Sequence, residues 1–223
     1  MPWLFITRPF SVKSKEAAIA DILERALPDR DFYLLLLGAI FFAASAFFTD
    51  SLPLLIASML VAPLSTPILA LALGIAVGDS RVTTRASGIL VLAILIVALT
   101  SASLSWIIHG VLAMGTERTF VTFSPNYFFD ISIALAAGAI AAYGSIREKV
   151  GAAMTGIGIA VSLMPPLVAA SIGFANSDPS LGMRGAIIFI MNVAGIVIAS
   201  AATFVAFDLK LIYKHAGLKN SKF

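Results

Sequence analysis

Residues Leu52 to Gly78 read LPLLIASMLVAPLSTPILALALGIAVG, an apolar run interrupted near its middle by Pro63 and Pro67. A bilayer core about 30 Å thick needs about 20 apolar residues of helix, and this run supplies them. Each proline removes a backbone donor and clashes with the preceding turn, so the predicted helix kinks or breaks near mid-depth. Groups freed by such a break are tolerated in a membrane only where protein, a cavity or water meets them. The run therefore points to a membrane-spanning fold and marks its own break as a candidate site.

The composition agrees. Of 223 residues, 60% are hydrophobic and 12% charged, and the mean hydropathy is +1.00, far outside the range of soluble globular proteins. The length holds several spans with short loops and no soluble domain of the usual ~100 residues. Cysteine is absent, which excludes disulfides and thiolate chemistry. A net charge of +3 would suit an acidic partner such as nucleic acid, but the positions of the charges give a membrane explanation instead. The first 31 residues mix five basic with five acidic side chains and have no uninterrupted apolar core, so no cleaved signal is expected.

Lys13 to Leu27 places Ala18, Ile19, Ile22, Leu23, Ala26 and Leu27 on one stripe at helical spacing, and Pro28 follows. This predicts an amphipathic interfacial helix, lying on the membrane face or against the bundle. Six apolar segments come next, at about 32–48, 52–78, 86–108, 128–143, 150–174 and 185–207. If all six cross with the N-terminus inside, thirteen of the fifteen Lys and Arg residues fall on the inner side and only Arg118 and Arg184 on the outer. The positive-inside rule then places both termini in the cytoplasm. The resulting layout is a cytoplasmic segment (1–31), a first membrane repeat (32–113), an external connector (114–127), a second repeat (128–207) and a cytoplasmic tail (208–223).

The halves echo each other. Gly38-Ala39-Ile40 recurs as Gly138-Ala139-Ile140, and the break at Pro63-Leu64 as Pro166-Leu167. After each break comes an acid with an arginine six positions on: Asp79 with Arg85, and Asp178 with Arg184. Aligned this way the two halves need a gap between break and acid. Three spans per repeat invert the second copy, so the expected fold is all-α and polytopic: six transmembrane helices in a 3+3 inverted repeat, with discontinuous second and fifth helices. In such folds the binding site lies near the midplane between the broken helices.

Four stretches also carry a family resemblance: Arg30-Asp31-Phe32-Tyr33-Leu34; ASMLVAPLSTPILALALGIAVGD, ending at Asp79; SIREKVGAAMTGIGIAVSLMPPLVAASIGFA, ending at Ala175; and Arg184 opening the last segment. From Ser14 onward the chain resembles the prokaryotic uncharacterised hydrophobic proteins grouped as domain of unknown function 389. The resemblance implies a multi-pass protein of the prokaryotic inner membrane and brings no substrate or activity. Ser58 and Thr66 stand where the resemblance leads one to expect smaller apolar residues.

The candidate chemistry gathers at the breaks. Ser58, Ser65 and Thr66 surround Pro63 and Pro67; Thr155, Ser162 and Ser171 surround Pro165 and Pro166. Their hydroxyls could join freed carbonyls to bind a cation or polar solute, or simply bond to the backbone and stabilise the kinks. Asn192, the one amide inside the last segment, must face protein or water, either bridging helices or touching a ligand. Asp79 with Arg85 and Asp178 with Arg184 suit gates or interface anchors. Gly74 with Gly78, and Ala134 with Gly138, have spacings that fit close packing within a monomer or between copies in a homo-oligomer.

No HExxH pair, GxSxG elbow or Walker loop is present, so neither an enzyme nor a cofactor is expected. Two functions fit. One is a transporter or channel-like protein for a small solute or cation. The other is a non-transporting membrane protein that binds a lipid, quinone or partner protein through apolar grooves and aromatics such as Phe41, Phe42, Phe47 and Phe48.

Overall fold

The computed structural model describes residues 12–112, 126–147 and 152–215, and these fold as helices joined by short turns. The helices are α1 (Val12–Arg25), α2 (Arg30–Thr49), α3 (Leu52–Val61), α4 (Ser65–Val77), α5 (Ser80–Leu112), α6 (Tyr127–Ile146), α7 (Ala152–Ala175), α8 (Pro179–Ala206) and α9 (Leu209–His215). Arg8, Arg118, Lys149, Lys219, Lys222, most of the expected external connector and the side chains of Lys13 and Thr155 lie outside the described residues.

Four helices, α2, α5, α6 and α8, are long and apolar enough to cross a membrane, and the bent pair α3–α4 makes a fifth candidate. Their outward faces carry Leu34, Phe41, Leu95, Leu99, Ile140 and Ile198, large apolar side chains that only lipid would solvate favourably. The protein is a multi-pass membrane protein.

The amphipathic helix is present and docked. Ala18, Ile19, Ile22 and Leu23 of α1, and Ala26 just after it, are buried against the bundle, where α1 packs on α4, α6 and α9. Lys15 Nζ donates to the Phe207 carbonyl at 2.7 Å, placing a cation at the C-terminal end of α8. α9 was not anticipated from sequence, because its seven residues are too short for a periodic signal.

The break in the second apolar segment is real. α3 ends with a last bond from the Ala62 amide to the Ser58 carbonyl, and Ala62 itself is extended, with φ −63° and ψ 122°. That conformation is what Pro63 imposes on the residue before it. α4 starts three residues later at an angle of 49° to α3. Pro67 falls in the first turn of α4, where its missing N–H would have had no helical partner.

The expected break in the fifth segment does not occur: α7 runs unbroken through Pro165 and Pro166. Pro166 leaves the Ser162 carbonyl without its helical donor, and Asn192 Nδ2 of α8 supplies one at 2.6 Å. Gly185 lets the α8 backbone press against the Pro166 carbonyl and Ala170; a Cβ there would lie 2.7 Å from the former. A neighbouring helix thus replaces what the proline removes, which keeps the segment helical.

The corners α4–α5 and α7–α8 repeat each other at a constant offset of 99 residues. Gly78 and Ser177 both take left-handed backbone, with φ 75° and 58°. The Asp79 amide donates to the Gly74 carbonyl at 3.0 Å, and the Asp178 amide to the Gly173 carbonyl at 2.8 Å. This register pairs Pro67 with Pro166 and needs no gap, so the gapped pairing of Pro63 with Pro166 is corrected. It also separates Gly38 from Gly138: a Cβ on Gly38 would meet nothing within 4 Å, whereas one on Gly138 would lie 2.4 Å from the Ile196 carbonyl.

The two corners sit at opposite ends of the bundle. Tyr213 of α9 bonds to Asp79 at the start of α5, while Asn176 beside the other corner bonds to Ser105 of α5. Ser80 and Ser105 are about 38 Å apart at the helical rise of about 1.5 Å per residue.

Candidate functional site

At the α3–α4 break the structure has a cavity of about 340 Å³. Ser65, Thr66 and Leu69 from the start of α4 form one wall. Gly144 to Arg147 at the end of α6 form the second, and Ser14, Asp21, Ile22 and Arg25 of α1 lie across from them. Thr66 Oγ1 donates to the Pro63 carbonyl at 3.1 Å, so a side chain satisfies a carbonyl of the break itself. Ser65 is buried and its hydroxyl is unbonded among the described residues. Ser58 is buried and turned inward on its own helix, with its hydroxyl on the Leu55 carbonyl at 2.6 Å.

The second-half candidates lie elsewhere. Ser162, Pro165, Pro166 and Asn192 belong to the α7–α8 interface and line no part of this cavity. Ser171 donates to the Leu167 carbonyl at 2.7 Å, a bond that stays within α7. Asn192 spends its amide on Ser162, and its Oδ1 is buried without a partner among the described residues. The structure therefore brings together Ser65, Thr66 and the break at Pro63 and Pro67, and leaves the other half of the set as packing between helices.

The carboxylates at the corners are helix caps. Asp79 Oδ1 accepts from the Arg81 amide at 2.9 Å and the Val82 amide at 3.4 Å, and Oδ2 accepts from the Tyr213 hydroxyl at 3.1 Å. Burial pushes the Asp79 carboxyl up, but those three hydrogen bonds and the Arg81 charge outweigh it, and the net shift is downward. Burial, then the bond to Asp79 and its charge, push the Tyr213 phenol up to about 12. Asp178 caps α8 through the Ser180 and Leu181 amides at 3.1 and 3.0 Å, and Arg184 turns back to the Ser180 hydroxyl. Among the described residues neither carboxylate is bonded to the arginine six residues on; each caps the helix that follows it.

Sequence reading missed the contribution of α1 and α6. Asp21 and Arg25, four apart on α1, form an ion pair at 2.6 Å. Arg147 lies over the Tyr143 ring at 5.5 Å. Each is a surface charge in sequence; only docking of α1 brings them to the break. Among the described residues, no three His, Asp or Glu side chains converge in a way that would hold a metal.

Residues 59–198 match the model of a family described as a domain of unknown function, DUF389, and the chain belongs to that family. It is 27% identical over 176 residues to the uncharacterized protein MJ0678 of Methanocaldococcus jannaschii. That match covers 79% of this chain and 54% of the relative, so the chain spans about half the length of the curated relative it matches. No solved structure matches it.

Proposed function

We propose that this member of the family is a transport protein of the inverted-repeat type, moving a small polar solute through the cavity at the α3–α4 break. The observation that carries the reading is the coincidence of a broken helix, unsatisfied helix-end groups and a cavity of about 340 Å³ at one place. Irregular backbone in a membrane domain is stable where it lines such a space. The two corners, 99 residues apart and at opposite ends of α5, support two copies of three spans related by inversion, with α7 as the spanning counterpart of α3–α4. The excess of basic residues at the end that carries α1 and α9 supports that end as the cytoplasmic one.

Reconstitution into proteoliposomes with a panel of ions and small solutes tests the reading. Flux of at least one solute is expected, reduced several-fold by Pro63→Ala and by Ser65→Ala. Absence of flux for the whole panel, or flux indifferent to both substitutions, would sink it.

A further inference from the structure

We infer that the cavity at the α3–α4 break binds an oxyanion, a phosphate or carboxylate group, held between the N-terminus of α4, the Ser65 hydroxyl and the guanidinium groups of Arg25 and Arg147. This deepens the reading above and rests on the cavity being a binding site. Three independent features of the wall point the same way.

The first is the helix end. α4 is 13 residues long and begins without any side-chain cap. The amides of its first turn have no partner within the helix, and together they amount to roughly half a positive charge directed out of the N-terminus. Pro67 removes one of those donors and leaves the amides of Ser65 and Thr66. An anion is the ligand that such an end stabilises.

The second is Ser65. The residue is only 8% exposed, it lines the cavity, and its hydroxyl makes no hydrogen bond among the described residues. The residue as a whole is packed in, and it faces the cavity, where a guest can accept from its hydroxyl. Thr66 beside it bonds to the Pro63 carbonyl, and Ser145 across the cavity bonds to the Ala141 carbonyl. Ser65 is thus the hydroxyl of the wall positioned to donate to a guest.

The third is charge. The lining carries Arg25, Arg147 and Asp21, a net positive balance before the helix end is counted. Asp21 is already engaged with Arg25, and Arg147 is steadied by the Tyr143 ring. A cation would meet two guanidinium groups and a positive helix end, whereas an oxyanion would accept from all of them. At about 340 Å³ the space suits a small oxyanion or the headgroup of an anionic lipid, and both present the same chemistry.

Thermal unfolding of the purified full chain in neutral detergent tests the assignment in two arms. The first arm titrates inorganic phosphate against chloride at matched ionic strength. The second compares nanodiscs of phosphatidylglycerol with nanodiscs of phosphatidylcholine. A saturable rise in Tm is expected in at least one arm, with the apparent Kd weakened about tenfold by Ser65→Ala, as loss of one hydrogen bond to a charged group requires. Ser65→Ala breaks no bond within the protein and is expected to leave the Tm without anion unchanged. Arg147→Gln is expected to weaken binding as well. A response to free phosphate identifies a soluble anion, and a response confined to phosphatidylglycerol identifies a lipid headgroup; either supports the assignment. No saturable response in either arm, or one that Ser65→Ala leaves intact, overturns it. Binding without flux would remove the transport reading alone; flux without anion dependence would remove the oxyanion alone.

Discussion

Pro166 and Asn192 answer each other across the α7–α8 interface, and that pairing makes a testable energy. Replacing Asn192 by Leu removes its hydrogen bond to the Ser162 carbonyl, and the expected loss is about 1–2 kcal/mol, read as a lower Tm in detergent. Pro166→Ala restores an amide at the position that would bond to that carbonyl, so Asn192→Leu should cost less in its presence. Additive losses in the double variant would show that the two residues are not coupled. Tyr213 gives a second residue-scale expectation. Its folded pKa of about 12 lies above the ordinary value of 10.0, so the stability it confers is complete below pH 10 and is lost as pH rises toward 12. Tyr213→Phe should abolish that alkaline loss. Asp79 has the opposite sign: its lowered pKa gives stability that is present above its ordinary value of 3.8 and is lost as pH falls below it.

At the scale of elements, the spanning helices α2, α5, α6 and α8 were legible in the sequence because each is a long apolar run. α2 is capped by Asp50, α4 by Gly78 and α8 by Phe207, close to where the apolar runs end. The continuity of α7 was not legible, because two prolines in a row predict a break and only the facing helix decides otherwise. Glycines divide in the same manner: the spacing of Gly38 and of Gly138 looks alike in sequence, and the neighbours differ entirely. Gly138→Val should drive α6 from the Ile196 carbonyl and lower the Tm by many degrees, since that contact also orders the bond from Ser200 to the Gly138 carbonyl at 2.9 Å. Gly38→Ala, with open space at its Cβ, should leave the Tm within a degree or two or raise it slightly. Equal effects of the two would mean that the close α6–α8 approach is not as described.

Over the whole molecule, the candidate site was half legible. Pro63, Ser65, Thr66 and Pro67 were marked by their own chemistry, while Asp21, Arg25 and Arg147 lie roughly 40 to 80 positions away along the chain and reach the break only through docking of α1 and the end of α6. The arrangement by ends follows from the same long-range contacts: α1, α9, the Asp79 corner and the last turn of α8 share one end, and the Asp178 corner occupies the other. Because the chain has no cysteine, single cysteines can report this without background. In sealed cells, Glu24→Cys on α1 and Lys214→Cys on α9 should resist a membrane-impermeant maleimide until the membrane is opened, whereas Ser180→Cys beside the Asp178 corner should react from outside. Reaction of all three from one side would be incompatible with corners about 38 Å apart along α5 in a membrane-spanning bundle, and with it the inverted relation of the two halves would fall.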